Sequence, residues 1–334
     1  LASCKDDITG KTKYVWLAAH SDMKEEGDKK KFDRARELKK KIKKIRETND
    51  MNLRNNDEKI KQTATALYFI DNLALRVGNE KGEDEADTVG VTSLRVEHIK
   101  LNEKNNITLD FLGKDSINYI KTFDVPDIIY NNISEFMKDK KMDDPLFDRI
   151  NSNDLNKYLQ NFMPELTAKV FRTYNASDLF QKELDRISKK YDNYKLDDKI
   201  NVLLDEFNKA NFQVALLCNH QKNVSKGFDT QIDKINESIK DSKKKIKELK
   251  DKDNEKDKKK IKKLKDNIKK LEAKKDIKIQ MKNISLGTSK INYIDPRITV
   301  AFMKKHGLPI DKIFSKTLQE RFKWSFEVDE NYKF

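Results

Sequence analysis

The chain has 334 residues, 36% of them hydrophobic and 38% charged, with a formal charge of 71 − 57 = +14. That length allows one large domain or two smaller ones with a sizeable core, and that charge calls for an anionic partner, nucleic acid or an acidic membrane surface. No apolar run approaches the roughly 20 residues of a membrane span, no signal peptide opens the chain, and two cysteines, Cys4 and Cys218, are too few for a disulfide framework and fit a reducing compartment.

In chain order, Tyr14 to Leu17 reads as a short apolar strand. Phe32, Ala35, Leu38, Ile42 and Ile45 form the stripe of an amphipathic helix. Ile60, Ala64, Leu67, Ala74 and Val77 form a second stripe, with Gly78 placed to end that helix. Val91 to Val96 is β-branched and apolar, as in a strand. Ile107 to Leu112 and Ile117 to Phe123 flank Gly113-Lys114-Asp115-Ser116, the pattern of a hairpin. Ile200, Leu203, Phe207, Ala210, Val214 and Leu217 make a third helical stripe.

Residues 228–282 are different in kind. They hold 21 Lys against 12 Asp or Glu, a net of +9, while the rest of the chain carries 50 basic and 45 acidic residues, a net of +5. Within this stretch Ile232, Ile235, Ile239, Ile246 and Leu249, then Ile261, Leu264, Ile268 and Leu271, repeat at coiled-coil spacing. Asp251 to Asp257, without an apolar residue, reads as the turn between two antiparallel arms. Beyond it, Asp295 and Pro296 have the form of an N-cap and first helical residue, with Gly307 and Pro309 closing that helix. A last helix carries Leu318, Phe322 and Phe326. The class is mainly α with a small antiparallel β-sheet. The expected division is a helical catalytic core subdomain over 1–226, a coiled-coil linker over 227–283 and a C-terminal domain over 284–334.

Several chemistries find little support. Gly10-Lys11-Thr12 resembles the end of a phosphate-binding loop, but Lys5 stands where that loop needs glycine and no strand precedes it. His20, His98, His220 and His306 are scattered, and no Cys or His pair has zinc spacing. No cofactor and no metal are expected. Phosphoryl transfer by side chains alone remains open. It needs cations for the non-bridging oxygens, a proton donor for the leaving oxygen, and a nucleophile. Arg76, Lys114, Arg172, His220 and Tyr293 are candidates, each at the end of an expected element. Taken singly, each has an ordinary alternative: a surface arginine, a solvated turn lysine, a structural histidine, a core tyrosine.

Their surroundings go further. Arg76 in Ala-Leu-Arg-Val-Gly-Asn-Glu-Lys, Lys114 in Phe-Leu-Gly-Lys-Asp-Ser-Ile, Arg172 in Lys-Val-Phe-Arg-Thr-Tyr-Asn-Ala-Ser, His220 in Leu-Leu-Cys-Asn-His-Gln and Tyr293 in Ser-Lys-Ile-Asn-Tyr-Ile-Asp-Pro-Arg occur in family order. The chain thereby resembles eukaryotic type IB DNA topoisomerases, from the helical core through the charged linker to the tyrosine domain. The resemblance implies the DNA breaking-rejoining fold shared with tyrosine recombinases, and a reaction needing neither ATP nor metal. In it Tyr293 forms a 3′-phosphotyrosyl bond, downstream DNA rotates, and the freed 5′-hydroxyl restores the strand. It further implies that Arg76 and Arg172 hold the scissile phosphate, that His220 donates to it, and that Lys114 is the general acid. Lys81 and Thr88 match DNA-touching positions. Asp115 and Asn292 match positions beside the break, where camptothecin-type inhibitors wedge. For Asp115 and Thr88, local turn chemistry is the simpler alternative.

The expected partner is duplex DNA, with no membrane and the enzyme a monomer in the nucleus. The chain opens at Leu1 in mid-sequence style and reads as a fragment lacking the N-terminal cap region that completes the clamp on DNA, so weak affinity is expected in isolation. Two rival readings are a tyrosine recombinase or integrase, which would lack the long coiled coil between His220 and Tyr293, and a non-enzymatic coiled-coil DNA-binding protein.

Overall fold

The structure is a computed structural model and describes residues 2–15, 17–18, 21–78, 87–194, 198–222, 224, 226–250 and 255–334. These fall into two compact units, 1–219 with 286–334, and 220–285.

The first unit begins with β1 (Ala2–Lys5) and β2 (Thr12–Val15), paired antiparallel from Ala2↔Val15 to Lys5↔Thr12 and exposed throughout. Part of the strand expected at 14–17 is therefore present, and Trp16 lies outside the described residues. In α1 (Asp22–Asn52) the stripe Phe32, Ala35, Leu38, Ile42 and Ile45 is buried as its spacing requires. Next comes α2 (Glu58–Asn72), capped by the Asp57 carboxylate, which accepts from Ile60 N at 3.1 Å.

Here two expectations fail for one reason. The second helix ends before Ala74, whose φ is 49°, and Ile60 stays exposed. Beyond Ala74 the carbonyls of Arg76 and Val77 accept from Val91 N and Thr92 N at 2.9 and 2.7 Å, so they have left the helical ladder. The same bonds take Val91 and Thr92 out of any strand. Their segment instead forms 3-10 turns at Val91–Ser93 and Val96–His98. Gly78 thus closes no helix.

The hairpin was legible. β3 (Ile99–Leu101), β4 (Asn106–Gly113) and β5 (Ile117–Asp124) form an antiparallel sheet in that order. Gly113 pairs with Ile117, which leaves Lys114, Asp115 and Ser116 as the turn, with Asp115 and Ser116 at φ of 64° and 55°. One face buries Ile107, Leu109, Phe111 and Tyr119, the last two stacked at 5.0 Å.

α3 (Asp127–Met137) and α4 (Ser152–Gln160) lead into α5 (Ala168–Lys190) and α6 (Lys199–Leu217). The α5 helix is central. It buries Phe171, Tyr174, Phe180, Leu184 and Ile187 and packs on α1, α2 and α6. In α6 the expected Leu203, Phe207, Ala210 and Val214 face inward.

The second unit is the expected helical hairpin, α7 (Phe228–Lys250) and α8 (Glu255–Gln280). Ile235, Ile239, Ile246 and Ile268 are buried between the arms, with Ile261, Leu264 and Leu271 packed beside them. Residues 251–254 of the expected turn lie outside the described residues. At the base, Lys222 N donates to Asn283 O and Ser285 N to His220 O, both at 2.8 Å, so the ends of the insertion are paired.

The first unit resumes with α9 (Leu286–Asn292), α10 (Pro296–His306) and α11 (Lys316–Arg321). As expected, Asp295 caps α10, Pro296 opens it, and Gly307 ends it at φ 63°. Phe322 is buried beyond the short last helix and a 3-10 turn follows at Lys323–Glu327. Three contacts tie this segment back to α1. Arg297 pairs with Asp33 at 2.8 Å, Arg321 with Asp28 at 2.7 Å, and Lys39 donates to Phe334 O at 2.8 Å. The class is mainly α with small antiparallel sheets, as the sequence implied. Among the described residues no helix is long and apolar enough to cross a membrane.

Candidate active site

Arg172 lies in the first turns of α5 and is only 6% exposed. Its guanidinium donates to Ala74 O at 2.6 Å and to Cys218 O, and its Nε is buried without an acceptor among the described residues. Burying a guanidinium is costly unless it is hydrogen-bonded and paired. Two neutral carbonyls fix its plane but leave its charge uncompensated, which suits it to an incoming anion.

The left-handed turn at Ala74 follows from the same arrangement, because it aims the Ala74 carbonyl at Arg172. Two residues later Arg76 reaches the same place, held through its backbone by Val91 N. That approach depends on glycines. A Cβ on Gly90 would stand 2.3 Å from Gly78 N and 2.8 Å from Arg76 O, and Gly78 has φ 85°. The hairpin joins in because Val89 N donates to Leu112 O at 2.8 Å, which brings Lys114 to the rim.

Together these segments enclose a cavity of about 370 Å³ lined by Arg76, Lys114, Arg172, Lys169, Thr88 and the glycine pair, among others. Four of its described lining residues are cations and none is a carboxylate. Three of the cations were expected. Lys169 was not, although it lies three residues before Arg172, one helical turn, in the motif that carries it.

Tyr293 approaches from the other end of the chain. It is 8% exposed, and the Arg172 guanidinium lies over its ring at 5.1 Å. The short α9 delivers it. Asn211 on α6 donates to Leu286 O at 3.1 Å, and Ser289 O receives both Tyr293 N and Ile294 N at 3.0 Å. The capped start of α10 then fixes the chain just after the tyrosine.

Burial pushes the Cys218 thiol up, against the pull of Arg172, Arg76 and Lys121, so it is held as the neutral thiol. Burial also lowers Lys121, whose ammonium donates to Leu216 O at 2.9 Å and ties β5 to the end of α6.

Of the other expected residues, Thr88 lines the cavity, while Asp115 is at the hairpin tip and Asn292 ends α9, both outside its lining. His220 begins the second unit, and Lys81 lies outside the described residues.

Comparison with known proteins agrees with the sequence. A family model described as the catalytic core of eukaryotic DNA topoisomerase I matches residues 20–253, and one described as a C-terminal topoisomerase domain matches 265–334. The chain is 45% identical to DNA topoisomerase 1 of Caenorhabditis elegans and 43% identical to those of Drosophila melanogaster and Homo sapiens. Each alignment covers 100% of this chain but only 44%, 35% and 46% of those relatives, so the chain spans less than half their length. The chain belongs to the eukaryotic DNA topoisomerase I family.

Proposed function

We propose that this chain relaxes supercoiled duplex DNA by breaking and rejoining one strand. The observation that carries the reading is the cavity in which Arg76, Lys114, Lys169 and Arg172 converge, with no carboxylate among its described lining residues and Tyr293 stacked on Arg172. An anion of high charge density fits there, and a phosphodiester is one.

In the reaction Tyr293 Oη attacks phosphorus while the bond to the 5′-oxygen breaks. The phenolic proton passes to solvent water, and Lys114 gives a proton to the departing 5′-oxygen. Arg76, Arg172 and His220 neutralise the charge that builds on the non-bridging oxygens, a contribution worth about 10²–10³ in rate per well-placed donor. A phosphodiester is exchanged for a phosphodiester, so the religation step needs no ATP. Lys81, Thr88, Asp115 and Asn292 contact the DNA around the break. A cap region N-terminal to these residues completes the grip on the duplex, and the enzyme works as a monomer in the nucleus.

The test uses supercoiled plasmid with EDTA, without nucleotide, and with a detergent quench. The parent is expected to relax the plasmid and leave protein–DNA adducts that survive denaturation. Tyr293→Phe should bind DNA and form none. Adducts that persist in Tyr293→Phe, or a parent that binds DNA yet never forms them, would overturn the proposal, the latter in favour of a non-enzymatic DNA-binding protein.

A further inference from the structure

We infer that Ser177 is a positioning residue for Tyr293, an inference that rests on the DNA-cleaving role given to that tyrosine. Ser177 sits on α5 and is fully buried. Its hydroxyl donates to Tyr293 O at 3.0 Å and accepts from Asp295 N at 3.0 Å. One oxygen therefore grips the backbone on both sides of Ile294. Asp295 in turn accepts from Arg297 N at 2.9 Å and from the Tyr332 hydroxyl at 3.1 Å, so the far end of the grip is itself anchored.

The location of this serine gives the grip its meaning. Arg172 lies five residues earlier on the same helix (177 − 172 = 5). The group that stacks on the tyrosine ring and the group that holds the tyrosine backbone are thus mounted on one rigid element. That element is a 23-residue helix, and both Arg172 and Ser177 lie on its buried face. One helix thus contributes directly to the spacing between the guanidinium and the tyrosine, although the two residues are 121 positions apart (293 − 172 = 121).

Removing this hydroxyl should release the tyrosine backbone by a fraction of an ångström to an ångström, enough to slow attack roughly 10- to 100-fold while leaving the DNA surface intact. The experiment measures single-turnover cleavage of a DNA that traps the covalent product, in the full chain, at saturating DNA. Ser177→Ala should cut the cleavage rate by that factor with its DNA dissociation constant within about two-fold of the parent. Ser177→Thr, which keeps the hydroxyl, should recover most of the rate, and Ser177→Cys, a weaker donor of similar size, should fall between.

The inference is overturned if Ser177→Ala cleaves as fast as the parent. It is equally overturned if Thr and Cys fail as badly as Ala while all bind DNA. A parent that forms no covalent adduct would instead defeat the reading of Tyr293 as nucleophile.

Discussion

A single Cβ decides whether Arg76 can reach the cavity. Gly90 packs so tightly on Gly78 that an added methyl would meet backbone at 2.3 to 2.8 Å, with no flexible side chain to yield. Gly90→Ala should therefore destabilise the protein by roughly 2–3 kcal/mol, as overpacking does, and slow DNA cleavage further than that loss of stability accounts for. Thermal midpoint and single-turnover rate, compared with a surface variant of equal midpoint, separate the two effects. Equal rates in the two variants would show that the glycine pair does not place Arg76. Residues at this scale were only partly legible in the sequence. Arg76, Lys114, Arg172 and Tyr293 stood out because each sits in a distinctive motif. Lys169 stood in the Arg172 motif and Gly90 just before the Val91 segment, neither announcing a role. Ser177 was hidden, because its role is a hydroxyl bond across 116 positions (293 − 177 = 116), and no local pattern records that.

Elements were easier to read where burial on one face dominates. The stripes of α1 and α6, the β4–β5 hairpin and the Asp295-Pro296 start of α10 all follow from periodicity and capping. The stretch around Ala74 and Val91 did not, because long-range bonds between two irregular segments outweighed local propensity there. The α7–α8 hairpin makes its own prediction. Its arms are about 35 and 39 Å long at 1.5 Å per residue, and the stretch 228–282 that holds them carries a net +9. If those lysines lie along downstream phosphates, deletion of residues 230–280 should flatten the salt dependence of DNA binding. The slope of log K against log salt changes by about 0.9 for each phosphate the protein no longer neutralises. The same deletion should speed strand rotation per cleavage event. An unchanged slope together with unchanged rotation would show that the hairpin does not engage DNA.

At the scale of the whole first unit, charge pairs close the C-terminal segment onto the helices that precede it. Burial alone would raise the Asp28 carboxyl, but the Arg321 hydrogen bonds and Lys31 outweigh it and hold it below its ordinary range. Asp178 is held down in the same way by Lys182 and Lys39 against its burial. A depressed folded-state carboxyl contributes stability above its unfolded value of about 3.9, and that stability is lost as pH falls through the folded value. The thermal midpoint should thus be flat near neutrality and drop steeply below about pH 4. Arg321→Ala should lie well below the parent at pH 7 and converge on it in acid. A gap between the two proteins that stays constant from pH 7 to pH 2 would show that the Asp28 pair is not what acid breaks.

The paired base of the insertion bears on how such a chain can vary. Lys222 faces Asn283 and His220 faces Ser285, so the polypeptide leaves and returns through one narrow neck. Whatever is added to or cut from both arms in matched turns, the pairing at the base stays as it is. Arm length is therefore a free parameter, open to drift or selection without disturbing the pairing at the base of the hairpin. The neck itself has no such freedom, since a residue inserted on one side of it alone would slip the pairing.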